Sequence, residues 1–195
     1  MKKLSHKVTQ ENKKKSLVQG AEGLYDPRNE HDACGIGFVA HMKNVKSHDI
    51  VSKGLEILKN LEHRGAVGAD PKAGDGCGIL IQTPDEFFRP VLKEQGVELP
   101  EVGSYSAAPI FLPKDPAARQ HIQSIIEEEI KARGQNFLGW RDVPVDNSDL
   151  GYSVLPTEPD HVQVFIGRSD DITSVEDFEL KLFIIRRCIE LRVER

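Results

Sequence analysis

No run of this 195-residue sequence approaches eighteen apolar residues, so none of it reads as a helix that spans a bilayer. Cysteine is scarce. Cys34, Cys77 and Cys188 are an odd number with no Cys-x-x-Cys spacing, which argues against a disulfide scaffold, a zinc knuckle or an iron–sulfur site within this stretch. A reducing, cytoplasmic setting is the default for such a chain. Positive charge is short too: the formal net charge is −5, which gives no reason to expect nucleic acid as a partner. The lysines are unevenly spread. Six of them stand against one acid, Glu11, in the first twenty residues, so the remainder is strongly acidic. That basic head has no apolar stretch, unlike a secretory signal, and no arginine, unlike a transit peptide. It reads as a solvated or removable tail.

What is present is the patterning of one mixed domain. Residues 35–42 read as a strand, with Ile36, Phe38 and Val39 flanking glycines. Over residues 49–62, Ile50, Val51, Leu55, Leu58 and Leu61 recur at helical spacing, with Ser47 or Asp49 as cap and Gly65 just past the end. The glycine-rich run "GAVGADPKAGDG" is a loop, and "CGILIQ" at 77–82 is a short apolar strand. "TPDE" at 83–86 has the form of a capping box with proline at the first helical position; it opens a helix to about Glu94 that Pro90 kinks or stops. "SAAPIFL", "FLGWRDV" and "VQVFIG" read as strands. "DPAARQHIQSIIEEEIKARG" is a helix capped by Asp115, begun by Pro116 and ended by Gly134. "LKLFIIRRCIEL" is open between strand and helix, because the run is too short to show a period. The order β, α, β, α, β, α, β, β describes a layered α+β domain. The final "ELRVER" carries no stop signal and reads as a cut within a patterned segment.

The stretch "NEHDACGIGFVAH", residues 29–41, raises the functional question. Cys34 has three readings. A free cysteine is most often a small buried hydrophobe, and Cys77 and Cys188, inside apolar segments, fit that reading. "GIGFVA" matches Gly-x-Gly-x-x-Ala, but no strand precedes it, no helix follows it, and the acid at the right distance, Glu56, falls inside a helix. The third reading is a nucleophile, which needs a base, since only about 3 % of an unperturbed thiol is ionised at pH 7. His31 and His41 are near in sequence, and a metal set of His31, Asp32 and Cys34 matches no ligand spacing. If the chain is cut before Cys34, its own α-amine becomes available. With a pKa near 7.7–8.0, about a tenth of that amine is free at pH 7.

"CGIGFVA" followed by "GLEILKNLEHRGAVGAD" resembles the opening of the class II glutamine amidotransferases, N-terminal-nucleophile hydrolases that begin Cys-Gly-Ile and carry a Leu-x-x-Arg-Gly turn after the first helix. "YDPRNEHDACGIGFVA", "LEHRGAVGADPKAGDGCGILIQ", "FLP" and "LGWRDVPVD" are most similar to the ammonia-assimilating branch of that family, and the resemblance runs from about Leu24 to the end of the chain. It implies a four-layer αββα sandwich, incomplete in this stretch. Residues 1–33 would be a removed leader and 34–195 the first part of the amidotransferase domain. Cys34 aligns with the nucleophile, its α-amine serving as base. Arg64 aligns with the arginine that holds the carboxylate of L-glutamine, a task suited to a guanidinium fork; a helix C-terminal charge or a surface ion pair accounts for its position equally well. Gly35, Gly37, Gly76 and Gly78 would allow close backbone approach, and His63 is read as structural. The family's oxyanion hole uses an Asn-Gly pair, which this chain lacks and which lies further along in the family, so the isolated 195 residues are expected to be inactive. In full-length relatives, the resemblance implies, ammonia passes to synthase domains of the same chain. These carry FMN and an iron–sulfur cluster, with a small subunit as a candidate electron supplier, and the ammonia reductively aminates 2-oxoglutarate. Another class II amidotransferase with a different product, or a non-catalytic module that keeps the fold and the leader, remains open.

Overall fold

The computed structural model describes residues 35–61, 69–73 and 76–194. Within them the chain forms helix α1 (His48–Asn60), helix α2 (Asp85–Glu94), strand β1 (Tyr105–Leu112), helix α3 (Pro116–Ala132), strand β2 (Asn136–Asp142), a single 3-10 turn (Leu155–Thr157), strand β3 (Asp160–Gly167) and helix α4 (Val175–Val193). The three strands make one antiparallel sheet in the order β1-β3-β2. This is an α+β arrangement. It has one sheet among the described residues, where the complete sandwich implied by the resemblance has two.

Side-chain alternation explains which helix lies where. On β3, Val164 and Ile166 face one way and Phe165 the other, as a period of two requires. Val164 and Ile166 pack with Ile126 and Ile130 of α3 and Ile185 of α4. Phe165 packs on the opposite face with Phe88 and Leu92 of α2, Leu99 and Tyr105. The Phe88 and Phe165 rings meet edge to face at 5.1 Å, a favoured aromatic geometry. On β2 the alternation breaks: the pairing passes from Phe137 opposite Ile166 to Gly139 opposite Phe165, leaving Leu138 as an extra residue. That bulge lets Phe137 and Trp140, three apart, join the same cluster while Leu138 joins the other. Pro109 is tolerated in β1 because, among the described residues, β1 pairs on one side only.

Local chemistry sets the ends of the elements. The Asp115 carboxylate accepts from the Ala118 N–H at 2.8 Å, with Pro116 next in line, and Gly134 takes a φ of +75° after α3, where an L side chain is strained. The ambiguous run 180–191 is helical. Phe178, Leu182, Ile185 and Ile189 fall on one face, and the Ser174 hydroxyl caps the start by accepting from the Asp177 N–H. Helix α2 starts one residue later than the sequence pattern suggests. Pro84 stands at the cap with no side-chain cap bond, because its ring carries no acceptor, and the Asp85 carboxylate in the first turn binds Arg89 and the Tyr105 hydroxyl. The helix continues through Pro90, since the hydrogen bond that proline forgoes would be to Glu86, on the exposed side.

Two expected strands do not form. Residues 35–42 and 77–82 have extended-type sequence but no ladder partner among the described residues, and a strand is held by its neighbour. Ile36, Phe38, Met42 and Leu80 are almost wholly exposed there. Cys77, expected to be buried, is exposed for the same reason. No described helix is long and apolar enough to cross a membrane.

Candidate functional site

The two residues assigned catalytic and substrate roles by resemblance, Cys34 and Arg64, lie outside the described residues, as do His31, Asp32, His63 and Gly65. The structure describes the chain that follows Cys34 and the chain on both sides of residues 62–68. Gly35, directly after Cys34, lies against Leu61, three residues before Arg64. A Cβ on Gly35 would stand 2.8 Å from Leu61 Cδ2, and one on Gly37 would stand 2.6 Å from Ile57 Cγ2. A Cβ at either glycine would require the Leu61 or Ile57 side chain to move. Gly35 and Gly37 therefore pack against the C-terminal end of α1, where Ile57 and Leu61 offer a half-buried apolar edge. Gly76 and Gly78 behave differently. A Cβ at either position meets nothing within 4 Å, so the close approach expected of them is not present.

The other histidine near Cys34 in sequence is taken up by a turn. His41 Nδ1 accepts from the Lys43 and Val45 N–H groups at 3.3 and 3.2 Å. Glu56 sits on α1, in the position that counts against a dinucleotide site. Cys188 is half-buried, with Arg133 Nη2 3.3 Å from its sulfur. Among the described residues no group of three or more His, Cys, Asp or Glu side chains could hold a metal ion.

Sequence reasoning passed over one residue in this region, Asp70. Its carboxylate is 5 % exposed, although Ala69, Pro71 and Lys72 around it are exposed. Asp-Pro-Lys-Ala forms a turn in which the Ala73 N–H bonds the Asp70 carbonyl at 3.0 Å and the Lys72 N–H bonds Oδ1 at 3.1 Å. The Asp-Pro pair is a turn signal that could have been read. The remaining partners could not: Oδ2 accepts from the Ser153 N–H at 2.9 Å and the Ser153 hydroxyl at 2.7 Å. The Ser153 amide, then its hydroxyl, hold the Asp70 carboxyl below the usual carboxylate range.

The family profile described as glutamine amidotransferases class-II matches residues 34–195. The chain belongs to the class II glutamine amidotransferases. It is 45 % identical over 170 residues to the glutamate synthase [NADPH] large chain of Bacillus subtilis, covering 87 % of this chain and 11 % of that one. It is 40 % identical over 171 residues to the large chain of the same name from Azospirillum brasilense, with the same coverage. It is 35 % identical over 187 residues to glutamate synthase [NADH] of Saccharomyces cerevisiae, covering 91 % of this chain and 9 % of that one. The chain thus spans about a tenth of the length of these relatives.

Proposed function

We propose that this chain is the glutamine-hydrolysing part of a glutamate synthase, with Cys34 as nucleophile and Arg64 as the group that binds the substrate's α-carboxylate. The observation that carries the reading is the family match that begins at Cys34 itself. The contact of Gly35 with Leu61 supports it, because it brings the neighbours of Cys34 and Arg64 to one end of α1. Residues 1–33 would be a leader whose removal frees the Cys34 α-amine.

The chemistry then follows from the groups. The amine takes the thiol proton, and the thiolate attacks the side-chain carboxamide carbon of glutamine. The tetrahedral intermediate collapses as the amine returns a proton to the leaving nitrogen, releasing ammonia and leaving a glutamyl thioester. Water, deprotonated by the same amine, cleaves the thioester to glutamate and restores the thiol. The oxyanion donors belong to residues beyond this stretch, and loss of one such donor costs on the order of 10²–10³ in rate. The isolated 195 residues are accordingly inactive. In the full-length protein the ammonia goes to synthase domains of the same chain and converts 2-oxoglutarate to glutamate, in the cytoplasm. FMN and an iron–sulfur cluster belong to those domains, with reducing electrons from a partner such as a small subunit.

The test is the amino terminus of the mature protein, expressed from the full reading frame, together with glutamine turnover. A chain beginning at Cys34 that releases ammonia from glutamine is the expected result. A folded, full-length protein still beginning at Met1 or Lys2 removes the base and with it the catalytic role of Cys34. Turnover by the purified 195-residue stretch would overturn its assignment as inactive.

A further inference from the structure

We propose that Arg141 is a docking residue, whose guanidinium receives an Asp or Glu side chain from the part of the full-length protein outside these 195 residues. Three charged side chains are buried among the described residues: Asp70, Glu129 and Arg141. A buried charge is costly unless it is paired. Asp70 accepts three hydrogen bonds, and Glu129 is paired with Arg133 and Arg192. Arg141 is 9 % exposed and has no carboxylate partner among the described residues. Its Nη1 donates to Gln163 Oε1 at 2.8 Å, straight across the β2–β3 ladder, and its Cζ lies 5.3 Å from the centre of the Phe87 ring. Neither contact neutralises the charge, since an amide oxygen and a ring face carry only partial negative charge.

The two contacts leave one edge of the guanidinium open. Nε and Nη2 form that edge, and this pair of donors meets the two oxygens of a carboxylate as a fork. Every wholly buried side-chain nitrogen among the described residues has a partner, so the unbonded Nε and Nη2 reach the surface. That surface is the side of the sheet on which α2 packs. Gln163 lies on the same side of β3 as Phe165, two residues on, and as His161, two residues before. Phe111, opposite His161 in the register, meets its ring edge to face at 5.1 Å and is exposed, as Phe87 is. A guanidinium without its counter-ion, set between exposed rings, is complementary to a protein segment that carries an acid among apolar residues. A free small carboxylate is better served by a concave site. The relatives matched are about ten times as long as this chain, which leaves ample polypeptide to supply such a segment. The proposal goes beyond the glutaminase reading and takes from it only that the full-length chain is longer.

The experiment uses the full-length protein carrying Arg141→Lys, which puts an amine where the guanidinium stood. A water-soluble carbodiimide joins an amine to a touching carboxylate as an amide, with loss of water, and peptide mass spectrometry reads which residues are joined. The Lys114–Glu158 pair, 2.6 Å apart, is the internal positive control. The expected product is a cross-link from position 141 to an Asp or Glu of the same chain outside residues 1–195. A cross-link confined to residues 1–195, a cross-link to a second copy, no cross-link while the control forms, or an adduct of added 2-oxoglutarate in its place each overturns the proposal. Gln163→Glu tests the same point with Arg141 intact, and serves if Arg141→Lys does not fold. It supplies the missing carboxylate from β3 and so competes with the docked one. Amide hydrogen exchange is then expected to rise about tenfold, the scale of one charge-assisted hydrogen bond, in one segment outside residues 1–195; unchanged exchange throughout that part overturns the proposal. A natural protein that ends at Arg195 overturns the glutamate synthase reading and this proposal together, whereas a missing cross-link in a longer, ammonia-releasing protein overturns this proposal alone.

Discussion

Residues 105–194 and residues 35–61 treat their apolar side chains in opposite ways. The first region places Leu112, Ile126, Ile130, Val162, Val164, Phe165 and Ile185 almost completely out of solvent, around one sheet. The second has no buried residue at all, and leaves Ile36, Phe38 and Met42 open to water. Yet the second region adjoins both residues with a proposed chemical role. The packed half supplies rigidity, and the sparsely packed half adjoins in sequence the residues with a proposed chemical role, which fits the general tendency of functional segments to come from the less stable part of a fold. The turn at residues 70–72, between the two regions in sequence, is tied to the packed one by bonds of Asp70 with Ser153 and of Lys72 with Asp149.

This contrast can be broken or sharpened by substitution. The largest effect belongs to the proposed nucleophile next to the sparsely packed half: Cys34→Ala in the full-length protein is expected to abolish glutamine hydrolysis, by several orders of magnitude, with little change in melting temperature, read by ammonia release and calorimetry. Phe165→Ala sharpens the contrast from the other side. Removing a ring in edge-to-face contact with Phe88 is expected to cost about 3–5 kcal/mol in denaturant unfolding.

A pH effect comes next. Hydrogen bonds from Arg89, then from Tyr105, hold the Asp85 carboxyl below its usual range, while burial and then the Asp85 bond push the Tyr105 hydroxyl up to about 12. A depressed carboxyl stabilises the fold fully above its unfolded value and loses that contribution as pH falls through its folded value. Unfolding stability should therefore decline below about pH 4, and Asp85→Asn should flatten that decline. The smallest effect is Leu80→Ser. At a fully exposed side chain it is expected to change the stability of the isolated stretch by less than about 0.5 kcal/mol; a large loss in the full-length protein would show that residue to be covered there.

How far the sequence could be read depended on whether the deciding partner was local. Helix α3 was legible because its cap, its first-turn proline and its terminal glycine all lie within the segment. Helix α4 was not, since its cap, Ser174, stands six residues before the apolar run and the face is spread over Phe178 to Ile189. Residues 35–42 and 77–82 have the local composition of strands, but a strand is a relation between two segments, and composition cannot supply the second. The bulge at Leu138 left no sign, because an extra residue is visible only in the pairing. At the site, Cys34 and Arg64 could be singled out through family resemblance, with the α-amine giving the cysteine a chemical rationale. Asp70 remained hidden because the Ser153 that gives it meaning is 83 residues away.

The strand order carries a further consequence, for the making of the protein on the ribosome. The central strand, β3, is the last of the three to be synthesised. At roughly 5–20 residues per second, β1 emerges several seconds before β3, its partner among the described residues, has been translated. Until then its exposed backbone edge, and the emerging segments around Cys34, travel as an unassembled nascent chain. A pause in translation after β2 would prolong that exposure, while a pause after β3 would not, so the timing of synthesis between Asp142 and Gly167 governs how long this chain is open to the wrong partners.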